Sequence, residues 1–191
     1  GNNVLIFGST KQGKSTCMMH IYRKYFSGTI TFLCSPNIQI NLYNDNTEKI
    51  IKTYSYDVCQ QLIKTAQKIQ RKTKNNYEFT FLIDDIITRT NDPTLQNLVM
   101  VYRNSLINSI ISVQYPTVIS KRCRANITNM IFFRFLSPES ILYVTKTFLP
   151  NFFNKYTDAK KIEKYNELTK DHQFIYYCPL TEQFTVHKLL I

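Results

Sequence analysis

The sequence predicts an α/β fold: a mainly parallel sheet with helices on both faces and a C-terminal β-hairpin. Short runs that are apolar throughout, such as Val4 to Phe7 and Phe79 to Ile83, suit strands buried on both faces. Segments of helical period separate those runs, the alternation expected of a parallel sheet with crossover helices. A glycine-framed turn, Gly8 to Gly13, joins the first run directly to the first helical segment.

Val4 to Phe7 opens the sheet, and Lys14 to Phe26 reads as the first helix. Thr29 to Cys34 is a second β-rich run. From Tyr56 to Lys72 the apolar residues Val58, Leu62, Ile63, Ala66 and Ile69 recur at helical spacing. Phe79 to Ile83 is the next strand. Asp92 caps and Pro93 opens a helix toward Leu106, because Pro at the first helical position gives up only an N–H that has no partner there. Ser109 to Val113 and Asn129 to Phe135 follow as strands. Ser137-Pro138-Glu139 starts a further helix by the same chemistry, and Asp158 to Leu168 forms another. Phe174 to Cys178 and Phe184 to Lys188 close the chain as a hairpin. No repeat and no linker rich in Pro, Gly or Ser divides the 191 residues, so one domain over 1–191 is expected.

Composition narrows the function. Apolar residues make up 43% and charged residues 19%, a globular balance that sets disorder aside. No apolar run approaches the ~20 residues that span a bilayer. The start lacks the basic segment of a secretory leader and enters a strand almost at once, so native residues are expected to precede Gly1. The five cysteines, Cys17, Cys34, Cys59, Cys123 and Cys178, stand singly, which points to reduced thiols in a cytosol-like compartment. The three histidines show no metal-ligand spacing. Lys plus Arg number 24 against 13 Asp plus Glu, a surplus of 11 positive charges that attracts polyanions.

Gly8-Ser9-Thr10-Lys11-Gln12-Gly13-Lys14-Ser15-Thr16 matches GxxxxGK[ST] between a strand and a helix, the context that motif requires. Gly8 leaves the strand in a tight turn, and Gly13 lets backbone N–H groups close around phosphate oxygens. Lys14 supplies a cation for the β- and γ-phosphates, and Ser15 offers a hydroxyl to Mg²⁺. The positive end of the helix dipole adds to the pull on the anion. The expected ligand is Mg·ATP.

Phe79 to Ile83 then delivers Asp84 and Asp85 at its C-terminal end. A Mg²⁺ ion on phosphate-loop nucleotide needs a carboxylate there, which Asp84 supplies, while Asp85 is placed to orient and deprotonate water. Gln114 closes the run Ser109 to Val113. An amide at that tip reaches both a γ-phosphate and a water, although a Gln after a strand also serves as a turn residue.

The stretch Ser109-Ile-Ile-Ser-Val-Gln-Tyr-Pro116, Arg124-Ala-Asn126 and Met130-Ile-Phe-Phe-Arg134 resembles the third-motif region of the FtsK–HerA superfamily. In that region a strand ends in Gln, Pro follows two residues later, and a short helix leads to Asn before the next strand. With the compact length and the Asp84-Asp85 pair, the whole chain resembles the poxvirus-type DNA-packaging ATPases of large double-stranded DNA viruses. That resemblance implies a RecA-like sheet with the Gln114 strand between the phosphate-loop strand and the Asp84 strand, and Gln114 as a catalytic sensor. It implies a homo-oligomeric ring, hexamer or pentamer, that translocates double-stranded DNA by its backbone without regard to base sequence. It further implies an arginine reaching into a neighbour's site, with Arg103, Arg124 and Arg134 as candidates, and a capsid or internal-membrane protein as docking partner. The implied location is the host cytoplasm, in association with the virion. Lys11 and Gln12 depart from the small residues that many relatives carry.

Two basic clusters stand out. Lys64, Lys68 and Lys72 share one helix face, which reads as solvated surface, and Lys121, Arg122 and Arg124 lie just after Gln114. The competing functions are a P-loop kinase acting on a nucleoside or nucleotide and another P-loop ATPase that does not act on DNA. A guanine switch would want Asn-Lys-x-Asp, whereas Asn154-Lys-Tyr-Thr-Asp158 has one residue too many. No LSGGQ-like signature is present.

Overall fold

The computed structural model describes residues 2–36, 50–53, 55–74, 77–85, 93–101 and 106–189. Eight strands form one sheet: β1 (Asn3–Phe7), β2 (Ile30–Cys34), β3 (Ile50–Thr53), β4 (Phe79–Ile83), β5 (Ile107–Val113), β6 (Asn129–Phe132), β7 (Gln173–Cys178) and β8 (Gln183–Lys188). Their spatial order is β3-β2-β4-β5-β1-β6-β7-β8. The first six in that order pair in parallel, while β7 is antiparallel to β6 and β8 to β7. The strand that precedes Gln114 lies between the phosphate-loop strand and the Asp84 strand, as the resemblance implies.

β1, β4 and β5 are buried along their whole length, so their apolar residues do not alternate and their polar ones, Asn3, Thr80, Asn108, Ser109 and Ser112, are hydrogen-bonded. Their side chains feed two cores, one on each face. On one face α1 (Lys14–Tyr25) lays Cys17, Met18, Met19 and Tyr22 over Val4, Ile6, Leu82, Ile110 and Ile131. On the other, α2 (Tyr56–Thr73), α3 (Pro93–Val101), α5 (Pro138–Thr147) and α7 (Asp158–Leu168) cover Leu5, Phe7, Phe81, Ile111 and Phe132. Two four-residue helices, α4 (Lys121–Arg124) and α6 (Pro150–Phe153), and a 3-10 turn at Pro116–Val118 complete the described helices.

Boundaries follow local chemistry. Ser137 caps α5, its hydroxyl accepting from Ser140 N at 3.3 Å, and Pro138 takes the first helical position. Thr157 caps α7 in the same way, accepting from Lys160 N at 3.4 Å. The Asp92 cap expected for α3 lies outside the described residues.

Three readings need adjustment. β6 ends at Phe132 rather than Phe135, because the next residues leave the sheet to bond the phosphate loop. β5 begins two residues earlier than expected, at Ile107. In α2 the buried stripe is Cys59, Ile63, Ala66 and Gln70, whereas Val58 and Ile69 face solvent. Gln70 joins the stripe because its Nε2 donates to the Tyr77 carbonyl at 3.2 Å.

Candidate nucleotide and catalytic site

All three sequence motifs meet at the C-terminal ends of β1, β5 and β4, which are neighbours. Phe7 pairs with Val113, and Ile83 with Ile111. Gly8, Gln114 and the Asp84-Asp85 pair therefore leave the sheet at one edge, within a residue or two of each other in register.

The loop turns on two glycines. Gly8 has φ 151°, and a Cβ there would stand 2.7 Å from Phe133 Cβ. Gly13 has φ 95°, and its Cβ would stand 2.8 Å from Leu189 Cδ2. A side chain at Gly8 demands a shift of Phe133, and at Gly13 the left-handed φ itself strains any side chain. The loop is also clamped from β6. Ser9 N donates to the Arg134 carbonyl at 3.0 Å, and Leu136 N donates to Ser9 Oγ at 3.0 Å. Behind that clamp Tyr165 Oη donates to the Phe133 carbonyl at 2.8 Å. Burial pushes the Tyr165 phenol well above its ordinary pKa, so it stays a neutral donor.

Gly13 is the N-cap of α1 and brings no side-chain cap, so the first-turn N–H groups are left to an anion. Thr10 and Lys11 are exposed, while Gln12, Ser15 and Thr16 are half-buried. Lys11 adopts φ 61°, which brings the chain round between the two glycines. Lys14 is only 5% exposed; its Nζ donates to the Ser9 carbonyl at 3.0 Å and lies 3.6 Å from Asp85 Oδ1.

Asp84 is 2% exposed, and both its oxygens accept hydrogen bonds. Ser15 Oγ donates to Oδ2 at 2.7 Å, and Ser112 Oγ donates to Oδ1. The donor set Ser15 and Asp84 is made of hard oxygens at the mouth of an anion cradle. That chemistry fits Mg²⁺, which prefers oxygen ligands and keeps several waters when held beside phosphates. Ser112 also accepts from Asp85 N at 2.9 Å, so one hydroxyl ties the Asp84 carboxylate to the Asp85 backbone. Sequence reasoning missed Ser112. The available signal was a lone hydroxyl in the run Ile110-Ile-Ser-Val113. Asp85 has φ 55° and projects toward Lys14 instead of continuing the strand.

Beside this pair Asp84 N donates to the Cys34 carbonyl at 2.8 Å. A hydrogen bond between the Cys34 and Cys59 thiols lowers the pKa of the first and raises that of the second. Gln114 is half-buried at the β5 tip.

The arginine candidates separate. Arg124 Nη1 donates to Tyr143 Oη at 2.8 Å and to the Ile119 carbonyl at 3.3 Å, and its guanidinium sits 5.4 Å from the Phe148 ring centroid. Arg134 has an exposed side chain while its carbonyl supports the loop. Arg103 lies outside the described residues. Lys121 and Arg122 are exposed on α4, as are Lys64, Lys68 and Lys72 on α2.

No protein-family model matches the chain, and no curated protein matches it. Among solved structures, the genome packaging NTPase B204 of Sulfolobus turreted icosahedral virus 2, in complex with AMPPCP, superposes with a TM-score of 0.71 at 14% identity, covering 100% of this chain and 98% of its own. B204, the DNA-packaging ATPase of Sulfolobus turreted icosahedral virus, gives 0.71 at 15% identity with the same coverage. This chain has the fold of the viral packaging NTPases. The packaging-NTPase fold extends to the conjugation coupling protein TcpA of pCW3, solved with ATPγS, at a TM-score of 0.66 and 17% identity over 98% of this chain and 59% of that one. At 14–17% identity these likenesses show the fold. Within the packaging-NTPase fold, the described residues contain no helix long and apolar enough to cross a membrane.

Proposed function

We propose that this chain is an ATP-hydrolysing motor that translocates double-stranded DNA and packages a viral genome. The observation that carries the reading is the junction of the phosphate loop with the acidic strand tip, Ser15 bonded to Asp84 at 2.7 Å and Lys14 beside Asp85 at 3.6 Å.

The roles follow from that geometry. Gly8 to Thr16 wraps the phosphates with backbone N–H groups. Ser15 and Asp84 hold Mg²⁺, which when bound neutralises charge developing on the β- and γ-phosphate oxygens. As ATP enters, its phosphates replace Asp85 as the partner of Lys14, and the Asp85 carboxylate is released toward the attacking water. It takes the water's proton while the new oxygen–phosphorus bond forms and the bond to ADP breaks. Gln114 positions that water against the γ-phosphate.

The +11 charge supports a polyanion partner, and exposed Lys121 and Arg122 follow directly on the catalytic edge. In a homo-oligomeric ring, Arg134 and Arg103 are the better candidates for an arginine supplied in trans, since Arg124 is engaged within its own subunit. The full reading adds a capsid or internal-membrane docking partner and a virion-associated place in the host cytoplasm.

The test is steady-state ATP turnover with and without duplex DNA, together with particle size by light scattering. Stimulation by DNA in an oligomer supports the motor. Phosphate transfer to a nucleoside without release of free phosphate replaces it with a kinase.

A further inference from the structure

We propose that His172 and Leu189, at the two ends of the C-terminal hairpin, form the base side of the nucleotide site, with the His172 imidazole stacked on a purine. This rests on the nucleotide reading above and names the residues that hold the part of the ligand the phosphate loop does not reach.

The direction of the ligand comes first. Lys14 and Asp85, 3.6 Å apart, mark the γ-phosphate end, on the β5 and β4 side of β1. A nucleotide whose phosphates lie on the loop therefore extends its ribose and base away from Asp85. On the opposite side of β1 stand β6, β7 and β8.

The hairpin ends lie against the loop there. A Cβ built on Gly13 would stand 2.8 Å from Leu189 Cδ2 and 3.9 Å from His172 Nδ1. Leu189 N donates to the His172 carbonyl at 3.1 Å, so the two residues move as one unit. Leu189 is buried and presents an apolar wall, while the His172 side chain is exposed beside it.

The backbone sets where that ring stands. Asp171 and His172 have φ 52° and 59°, two consecutive left-handed residues without a glycine between them. The turn is held by Gln173 N donating to the Lys170 carbonyl at 2.8 Å. Asp and His adopt this conformation more readily than most residues that carry a side chain, so the turn places the planar His172 ring next to the phosphate cradle without a glycine. Ring stacking recognises the face of a base and tolerates its identity, so the subsite selects for a base without reading adenine against guanine closely.

The experiment compares ATP with inorganic tripolyphosphate, which lacks ribose and base, by calorimetry on the full chain. The variant is His172→Asn, since Asn tolerates the left-handed backbone and removes the ring. The expected result is about tenfold weaker ATP binding with tripolyphosphate affinity unchanged, the latter showing that the loop is intact. Unchanged ATP affinity overturns the proposal, and so does an equal loss for both ligands, which makes His172 a mere support of the loop. An unsubstituted protein that binds neither ligand overturns the nucleotide reading itself and this inference with it.

Discussion

The Lys14 ammonium lies 3.6 Å from Asp85 Oδ1 and 3.0 Å from the Ser9 carbonyl, a buried cation shared between its own loop and the tip of a strand two places away in the sheet. An incoming triphosphate competes with Asp85 for that cation. The two ends of the contact consequently answer differently to substitution.

Asp85→Asn keeps the volume and removes the negative charge. ATP affinity is expected to stay within a few fold, because the rival for Lys14 is weakened while the cradle is unchanged. Turnover should fall by about 10²–10⁴, the usual contribution of a general base. Calorimetry and phosphate release measured on the same preparation check this. An affinity loss as steep as the rate loss makes Asp85 a ligand of the cation site instead.

Lys14→Ala acts on binding. The variant leaves Asp85 without its ion partner and the phosphates without their fixed cation, so ATP binding and turnover should both disappear into background. Undiminished turnover in this variant would remove the phosphate-loop assignment.

Gly8→Ala tests the clamp from β6. The new Cβ meets Phe133 Cβ at 2.7 Å at a backbone angle that side chains rarely adopt, so a loss of about 2–4 kcal/mol in unfolding free energy is expected. Gly28→Ala, with open space around its Cβ, is the control and should shift the urea midpoint little.

How much of this was legible in sequence varied with the range of the interaction. Phe79–Ile83 and Asp158–Leu168 were readable to the residue, because an acidic pair and a Thr cap mark their ends locally. The phosphate loop was readable because its chemistry is contiguous. β3 was not, since four residues at a sheet edge, with Lys52 among them, carry too short a pattern. α6 is a single turn and has the same difficulty, whereas α4 is the short helix before Asn126 that the resemblance implies. Ser112 in β5, Phe133 just after β6 and Leu189 just after β8 shape the site, and only the folded register brings them to it. On α2 Ile63 and Ala66 are buried as the spacing suggests, whereas Val58 and Ile69 are exposed because apolar residues outnumber the positions the sheet covers.

The arginines offer a further test. Arg124→Ala removes bonds to Tyr143 and Ile119 and the contact with Phe148, so it should cost about 1–3 kcal/mol of stability. Arg134→Ala removes an exposed side chain and should leave the unfolding midpoint alone. If Arg134 acts across a subunit boundary, mixing this variant with unsubstituted protein should depress activity more than dilution does. A strictly linear response to mixing assigns the trans role elsewhere.

Duplex DNA binding should weaken linearly in log affinity against log salt, by about 0.9 for each phosphate contacted, with little dependence on base sequence. Charge reversal at Lys121 and Arg122 should flatten that slope more than reversal at Lys64 and Lys68. Equal effects of the two pairs would place DNA elsewhere on the surface.

The central position of β1 has a consequence for biosynthesis. Its residues are made well before its hydrogen-bonded partners, Ser109–Val113 and Asn129–Phe132. Some 130 residues must therefore be made before the strand has both neighbours, roughly 6–26 s at ordinary elongation rates. Until β5 is made the apolar run Val4–Phe7 waits unpaired, and closing so long a loop makes the last step of folding slow. The nascent chain is thus a natural client for a chaperone, and a chain released early, before Phe132, has a phosphate motif with nothing to brace it.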